Sequence, residues 1–335
     1  MEKIAFFGTH SYDRSMFAEI NEKQKFGFEL INHRSFLDEH NAVMTMGAKA
    51  VCIFVNDTAD RKVLELLKAQ GVELLALRCA GFNNVDLAAA RDNGIRVVRV
   101  PAYSPHAIAE HVVALIMTLN RRTNRAYVRV RDGNFSLNGL MGFDMYGKTV
   151  GVVGTGRIAR CLISILKGFG MNILAYDIYP DQEYAKKEGI RYVELEELFA
   201  ESDIISLNCP LTPQNRHLIN RDSIAKMKTG VMIINTGRGP LISTEDLIEG
   251  LRSGKIGYAG LDVYEEERNY FYQDKSGSII TDDNLARLLS YSNVVVTSHQ
   301  AFFTREAMTN IALTTLQNCA DFFAGKELKN EVKPQ

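Results

Sequence analysis

The stretch Lys148-Thr149-Val150-Gly151-Val152-Val153-Gly154-Thr155-Gly156-Arg157-Ile158-Ala159 decides the fold. A short apolar, β-branched run opens it, two glycines spaced by one residue close it, and the helical-period run CLISILKGFG follows from Cys161. This is strand, tight turn, helix, and the turn has the pattern G-x-G-x-x-A. In that context Gly154 permits the turn, Gly156 lets a pyrophosphate approach the backbone, and the small Ala159 lets the helix lie close to its strand. The phosphates would then sit at the positive N-terminal end of the helix. Asp177 ends the next apolar run, Ile173 to Tyr176. A carboxylate about 20 positions beyond the first glycine accepts hydrogen bonds from an adenosine ribose and repels a 2′-phosphate, which favours NAD over NADP. The alternative reading of the same residues is a tight turn with a coincidental Asp at a strand end.

Outward from this unit, short β-branched runs alternate with longer stretches of helical period along almost the whole chain, the pattern of parallel sheets built from βαβ units. The fold class is α/β. One series of strands is expected at Lys3-Phe7, Ala50-Phe54, Glu73-Leu77 and Arg96-Val100, with helices such as Arg61-Gln70 and Val85-Asn93. A second is expected at Thr149-Val153, Asn172-Tyr176, Asp203-Leu207, Val231-Asn235, Gly257-Asp262 and Asn293-Thr297. A helix from about Ser104 to Thr123 and an irregular stretch to Gly147 separate them, and a last helix over Thr304-Phe323 carries Met308, Ile311, Ala312, Leu316, Cys319 and Phe322 on one stripe. The first strand, KIAFFG, offers only Gly8, so the N-terminal unit reads as the substrate-facing partner.

Composition bounds the rest. A chain of 335 residues, 46% hydrophobic, is longer than one core of ordinary size accommodates, so two domains are expected. With 39 basic against 40 acidic residues there is no bulk field to recruit nucleic acid or an anionic membrane, and a small-molecule partner is expected. Cys52, Cys79, Cys161, Cys209 and Cys319 lack zinc or redox spacing and read as reduced thiols. The opening MEKIAFFGTH is too brief in its apolar run for a signal peptide, and no segment has the length of a membrane span, so a cytoplasmic location is expected. His106 and His111, five apart, are out of phase on a helix, and no catalytic metal is expected.

Ligands in doubly wound sheets bind beyond the carboxyl ends of strands. Three polar residues stand there: Arg238 after VMIIN, Glu267 after GYAGLDV and His299 after NVVVTS. Hydride transfer to a 2-keto acid needs a cation for the carboxylate and carbonyl, a proton donor for the carbonyl oxygen and an anion to support that donor. The trio supplies this set, although a strand-end Arg or Glu is also commonly solvated and a single His is often structural.

In order along the chain, LRCAGFNNVDL (77–87), VPAYSPHAIAEH (100–111), GTGRIA, CPLTPQN (209–215), NTGRGPLI, GLDVYEEE and SHQAFFT resemble the NAD-dependent D-2-hydroxyacid dehydrogenases, most closely their fermentative D-lactate dehydrogenase branch. The resemblance covers essentially the entire chain. It implies two Rossmann-like domains with an active-site cleft between them: a discontinuous substrate-binding domain of residues 1–101 and 300–335, and an NAD-binding domain of residues 102–299. It implies that Arg238 binds substrate, His299 is the acid/base and Glu267, five positions after Asp262, pairs with the histidine; Glu265 and Glu266 read as loop carboxylates. Contacts to NAD are implied for Gly154, Gly156, Arg157, Ile158, Asp177, Cys209, Pro210, Asn215, Thr236, Gly237, Arg238 and Asp262, the last near the nicotinamide amide. Ala80 and Gly81 would present backbone N–H groups to the substrate carboxylate, and Tyr103 and Phe302 would line the pocket. The plainer readings are a strand-to-helix turn for the first pair and core packing for the second. Gly237 stands where many relatives have Ser or Ala, which gives more backbone freedom.

The implied reaction is reversible reduction of pyruvate to D-lactate by NADH, in a homo-oligomer, dimer or tetramer, whose contacts involve residues around Asn120-Gly147. Rival readings are a dehydrogenase for glyoxylate, phosphohydroxypyruvate or branched keto acids, or an NAD(H)-sensing corepressor of the same fold. The end of the chain at Gln335 and the loop RNYFYQDK after Glu267 favour the lactate branch.

Overall fold

A computed structural model describes residues 1–334. The chain divides into two compact units, Met1–Ser104 with Phe303–Gln335, and Pro105–Phe302. Both crossings fall a few residues later than the sequence suggests, which places Phe302 in the second unit.

The first unit runs β1 (Lys3–Phe6), α1 (Ser11–Lys23), β2 (Glu29–Asn32), β3 (Ala50–Ile53), α2 (Arg61–Ala69), β4 (Leu74–Leu77), α3 (Leu87–Asp92) and β5 (Arg96–Val98). Its five strands lie in the order β2-β1-β3-β4-β5, and every pairing is parallel. All four residues of β3 and of β4 are buried, as helices on both faces of a parallel sheet require. The edge strand β2, ELIN, was not expected. It has no apolar run, and none of its residues is fully buried.

The second unit begins with α4 (Pro105–Arg121) and α5 (Thr123–Arg131) and continues β6 (Thr149–Val153), α6 (Arg157–Gly168), β7 (Asn172–Tyr176), α7 (Gln182–Glu188), β8 (Arg191–Tyr192), α8 (Leu195–Glu201), β9 (Ile204–Leu207), α9 (Arg221–Lys226), β10 (Val231–Asn235), α10 (Thr244–Arg252), β11 (Ile256–Leu261), α11 (Asp283–Ser290) and β12 (Val294–Val296). The parallel sheet has the order β12-β11-β10-β9-β6-β7-β8, so the strand order reverses between β6 and β9. A crevice opens at such a switch point, beyond the carboxyl ends of the two strands. The helix expected to Thr123 ends at Arg121. Arg122 takes a left-handed φ of 50°, and α5 then occupies part of the stretch read as irregular.

The last helix, α12 (Arg305–Phe323), belongs to the first unit and packs on α1 and β4. Thr304 caps it by accepting from the Ala307 amide at 3.2 Å. Its buried face carries Met308, Ile311, Ala312, Leu316 and Cys319, while Phe322 is half-buried. Among the described residues no helix is long and apolar enough to cross a membrane.

Candidate active site

The turn after β6 is built by backbone crowding on one side and open space on the other. Gly154 has φ +89°, and a Cβ on it would lie 2.8 Å from the Cys209 amide nitrogen, so the β6 turn presses directly on the chain leaving β9. Gly156, the N-cap of α6, is extended, and a Cβ there would meet nothing within 4 Å. Arg157 and Ile158 form the first turn of α6, which contains no acidic residue, and Ala159 is fully buried beneath them. The result is a positive helix end with unobstructed backbone in front of it.

Asp177 follows β7 and faces this turn. Its Oδ2 accepts from the Thr155 amide at 2.6 Å and the Thr155 hydroxyl at 2.8 Å, and its Oδ1 accepts from the Tyr179 amide at 3.0 Å. Burial raises its pKa, but these hydrogen bonds and the Arg160 guanidinium outweigh burial and hold the carboxyl below its ordinary value. Beyond β9, Asn215 braces its own loop: Oδ1 accepts from the Thr212 amide at 2.7 Å and Nδ2 donates to the Pro210 carbonyl at 2.8 Å. Burial pushes the Cys209 thiol up to about 11, so it stays protonated at neutral pH.

Arg238, Glu267 and His299 follow β10, β11 and β12, three adjacent strands of one sheet. The Asn235 side chain, 1% exposed, clips the first of these turns, accepting from the Gly237 amide at 3.0 Å and donating to the Arg238 carbonyl at 2.9 Å. Arg238 Nη1 donates to the Gly237 carbonyl at 2.8 Å, and Thr236 and Arg238 are half-buried. Gly237 does not adopt a left-handed φ, and a Cβ on it would meet its neighbours at 3.4 Å, an ordinary contact. The freedom of glycine is therefore not used at this position.

His299 Nδ1 stands 2.9 Å from Glu267 Oε1, and Glu267 Oε2 accepts from the Tyr264 amide at 3.1 Å. An ionised carboxylate only accepts, so Nδ1 carries a proton and the ring is oriented through it. His299 itself has a left-handed φ of 53°, a conformation uncommon outside glycine and asparagine. It is held there by its amide donating to the Asp262 carbonyl at 2.7 Å and by the Tyr272 hydroxyl donating to its carbonyl at 2.9 Å. Asp262, fully buried, anchors the whole segment. Its Oδ1 accepts from the Thr297 hydroxyl at 2.6 Å and the Gln300 amide at 2.8 Å, and its Oδ2 accepts from the Ala301 amide at 2.9 Å. His111 from α4 closes this cluster, its Nε2 at 3.1 Å from the Thr297 hydroxyl. Glu265 faces elsewhere: His217 Nε2 lies 2.7 Å from its Oε1, and the Thr244 amide and hydroxyl donate to its Oε2.

In the first unit Ala80 and Gly81 lie half-buried in the loop after β4, where the Cys79 thiol donates to the Gly81 carbonyl at 3.2 Å. Tyr103 is half-buried, its carbonyl accepting from Asn310 Nδ2 at 2.7 Å, and Phe302 is buried.

Residues 113–301 match the family model described as D-isomer specific 2-hydroxyacid dehydrogenase, NAD binding domain. The chain belongs to this family. It is 54% identical over 330 residues to the D-lactate dehydrogenase of Escherichia coli (strain K12), covering 98% of this chain and 99% of that one. It is 55% identical over 332 residues to a 2-hydroxyacid dehydrogenase homolog of Haemophilus influenzae, covering 99% of each. Among solved structures, that of the pyruvate reductase of Chlamydomonas reinhardtii superposes with a TM-score of 0.93 at 46% identity and 98% coverage of each chain.

The cofactor of this dehydrogenase family fits the residues present. A dinucleotide needs backbone open to its pyrophosphate and a carboxylate beside the turn, and the empty space before Gly156 together with Asp177 supplies both. Asn208 Oδ1, buried at the end of β9, accepts no hydrogen bond from the described residues. The sequence reading missed Asn235 and Tyr272, which hydrogen-bond to the Arg238 and His299 carbonyls, and Gly239, which packs on the Tyr264–Glu265 peptide. All three lie in runs quoted above, Asn235 and Gly239 in NTGRGPLI and Tyr272 in RNYFYQDK, but nothing local marks their backbone contacts.

Proposed function

We propose that this chain is a D-lactate dehydrogenase, reducing pyruvate to D-lactate with NADH, and that Arg238, Glu267 and His299 carry the reaction. The observation behind this reading is the 2.9 Å His299–Glu267 pair at the carboxyl end of the NAD-binding sheet, in a chain similar from end to end to a D-lactate dehydrogenase. Bound at the β6–α6 turn, NADH would supply a hydride to the keto carbon. With Nδ1 committed to Glu267, Nε2 of His299 is the atom that gives a proton to the carbonyl oxygen, and Glu267 offsets the charge that the ring carries before transfer. Arg238 binds the substrate carboxylate and polarises the carbonyl. The Ala80 and Gly81 amides donate to the same carboxylate, and Tyr103 and Phe302 bound the methyl side.

The dinucleotide contacts follow the sequence expectation: Gly154, Gly156, Arg157 and Ile158 at the pyrophosphate, Asp177 at the ribose, and Cys209, Pro210, Asn215, Thr236, Gly237, Arg238 and Asp262 toward the nicotinamide end. Asp262 also anchors the segment bearing His299. Cys52, Cys79, Cys161, Cys209 and Cys319 are scattered without redox spacing, which accords with a reducing, cytoplasmic setting.

The protein acts as a homo-oligomer in this reading. Helix α5 has no buried residue, and Tyr127, Val128, Phe135, Leu137 and Met141 are all more than half exposed, an apolar surface typical of an interface. Leu137→Glu should lower the mass measured by light scattering.

The function is tested by NADH oxidation with pyruvate, 2-oxobutyrate, glyoxylate and phosphohydroxypyruvate, with chiral analysis of the product. Preference for pyruvate and a D-lactate product are expected. A preference for another acid moves the chain to a different branch of the family, and NADH binding without turnover of any acid indicates a sensing protein.

A further inference from the structure

The proposed carboxylate donors in the first unit, the amides of Ala80 and Gly81, lie in an irregular loop, and amide donors are useful only if their direction is fixed before substrate arrives. One side chain does this from outside the loop. Arg99, just past β5, donates from Nη1 to the Ala80 carbonyl at 2.9 Å, and its guanidinium lies over the Phe82 ring at 5.2 Å from the centroid. It therefore grips the loop on both sides of Gly81.

The Ala80 carbonyl and the Gly81 N–H belong to one peptide group. The peptide is planar, and in the trans form its C=O and N–H point in opposite directions. A cation donating to the carbonyl both sets the plane and draws electron density toward oxygen, which makes the opposite N–H a stronger donor. Without it the peptide can rotate, and glycine at position 81 offers little resistance to that rotation.

Arg99 is itself held in place. Its amide donates to the Asn330 carbonyl at 3.1 Å, its carbonyl accepts from Asn318 Nδ2 at 3.0 Å, and Asn330 Nδ2 donates to Asn318 Oδ1 at 2.9 Å. Asn318 is 5% exposed on α12, so the grip is anchored in the core. The next residue continues the brace, the Val100 amide donating to the Cys79 carbonyl at 3.1 Å.

We infer that Arg99 is a positioning residue for substrate binding: its guanidinium fixes and polarises the Ala80–Gly81 peptide so that the Gly81 N–H is aimed at the carboxylate of the 2-keto acid. The inference rests on the reading of Ala80 and Gly81 given above. The carboxylate does not change during hydride transfer, so its donors bind ground state and transition state alike, and their loss raises KM more than it lowers kcat.

The test compares the full-length wild type with Arg99→Ala and Arg99→Lys, using steady-state kinetics on the 2-keto acid that the wild type reduces best, NADH affinity by fluorescence, and Tm. In Arg99→Ala, KM for the keto acid should rise about tenfold, the scale of one charge-assisted hydrogen bond, with NADH affinity unchanged. Tens of millimolar guanidinium should bring KM back toward wild type. Arg99→Lys, which keeps charge but not the planar fork, should fall between the two, and it carries the same comparison if Arg99→Ala does not fold. An unchanged KM in a folded variant overturns the inference, as does a loss shared equally by kcat and NADH affinity that guanidinium does not reverse. If the wild type prefers another 2-keto acid, the lactate reading fails while the role of Arg99 is still decided. If it reduces none, both fall.

Discussion

Gly239, the fourth residue after β10 and the one that follows Arg238, packs its α-carbon against the peptide joining Tyr264 to Glu265. A Cβ built on it would overlap the Tyr264 carbonyl and stand 2.6 Å from the Glu265 amide nitrogen. Backbone on both sides leaves no flexible atom to give way. This contact locks the turn presenting Arg238 to the loop presenting Glu267, so Gly239→Ala should cost about 3 kcal/mol of stability and reduce activity together with it. Gly237→Ala, two residues earlier, meets only ordinary contacts and should leave Tm unchanged or slightly raised, because alanine narrows the unfolded ensemble. Thermal unfolding of the two variants makes the comparison, and equal Tm values would contradict it.

Asp177 braces the β6 turn and, in the proposed reading, also meets a bound ribose. Asp177→Asn keeps an oxygen for the Thr155 amide and removes the charge that opposes a 2′-phosphate. NADPH should gain on NADH by about tenfold or more in kcat/KM, the scale of one lost charge interaction of 1–2 kcal/mol. The ratio of kcat/KM values for the two cofactors measures this, and an unchanged ratio would remove Asp177 from cofactor selection.

The C-terminal segment is fastened by a charge pair whose pH dependence has a definite sign. Arg96 donates from Nε and Nη2 to the two oxygens of Glu331 at 2.8 Å each. These bonds, opposed by partial burial, hold the Glu331 carboxyl below its ordinary value of 4.5. A carboxylate depressed in the folded state adds stability that is present above the unfolded value and is lost as pH falls through the folded one. Glu331→Gln should therefore lower Tm by about 2 °C at pH 7, the modest effect of a part-exposed pair, and the gap should close as pH drops below 4.5. A gap independent of pH would show that the charge is not what fastens the segment.

The parts legible in the sequence are those whose signal is local. The strands Thr149–Val153, Asn172–Tyr176 and Val231–Asn235 appear where their apolar runs are, because buried central strands must be apolar on both faces. Arg238, Glu267 and His299 each follow an apolar run, and the structure sets those runs as the adjacent strands β10, β11 and β12. Strand β2 and the two-residue β8 lie at sheet edges and bury too little to leave a pattern, and α5 has no buried face at all. Asn235, Gly239 and Arg99 act on backbone groups, and for Gly239 and Arg99 the partner is distant in sequence or on another element. Periodicity carries no trace of such contacts. Asp262 was read as a cofactor contact, yet its hydrogen bonds to Thr297, Gln300 and Ala301 show what a buried strand-end carboxylate does for the chain itself.

The central claim is that Glu267 acts through His299 as one proton-donating unit. Residues that work as a unit are non-additive: once the donor is gone, its partner has nothing left to support. The decisive measurement is kcat/KM for pyruvate in His299→Gln, Glu267→Gln and the double variant, with NADH affinity checked in each. His299→Gln should lose about 10²–10⁴-fold, the usual worth of a positioned acid, and Glu267→Gln a smaller factor. The double variant should then be no slower than His299→Gln alone. If the two losses multiply in the double variant, the residues act independently and the 2.9 Å pair is not the proton-transfer unit of this site.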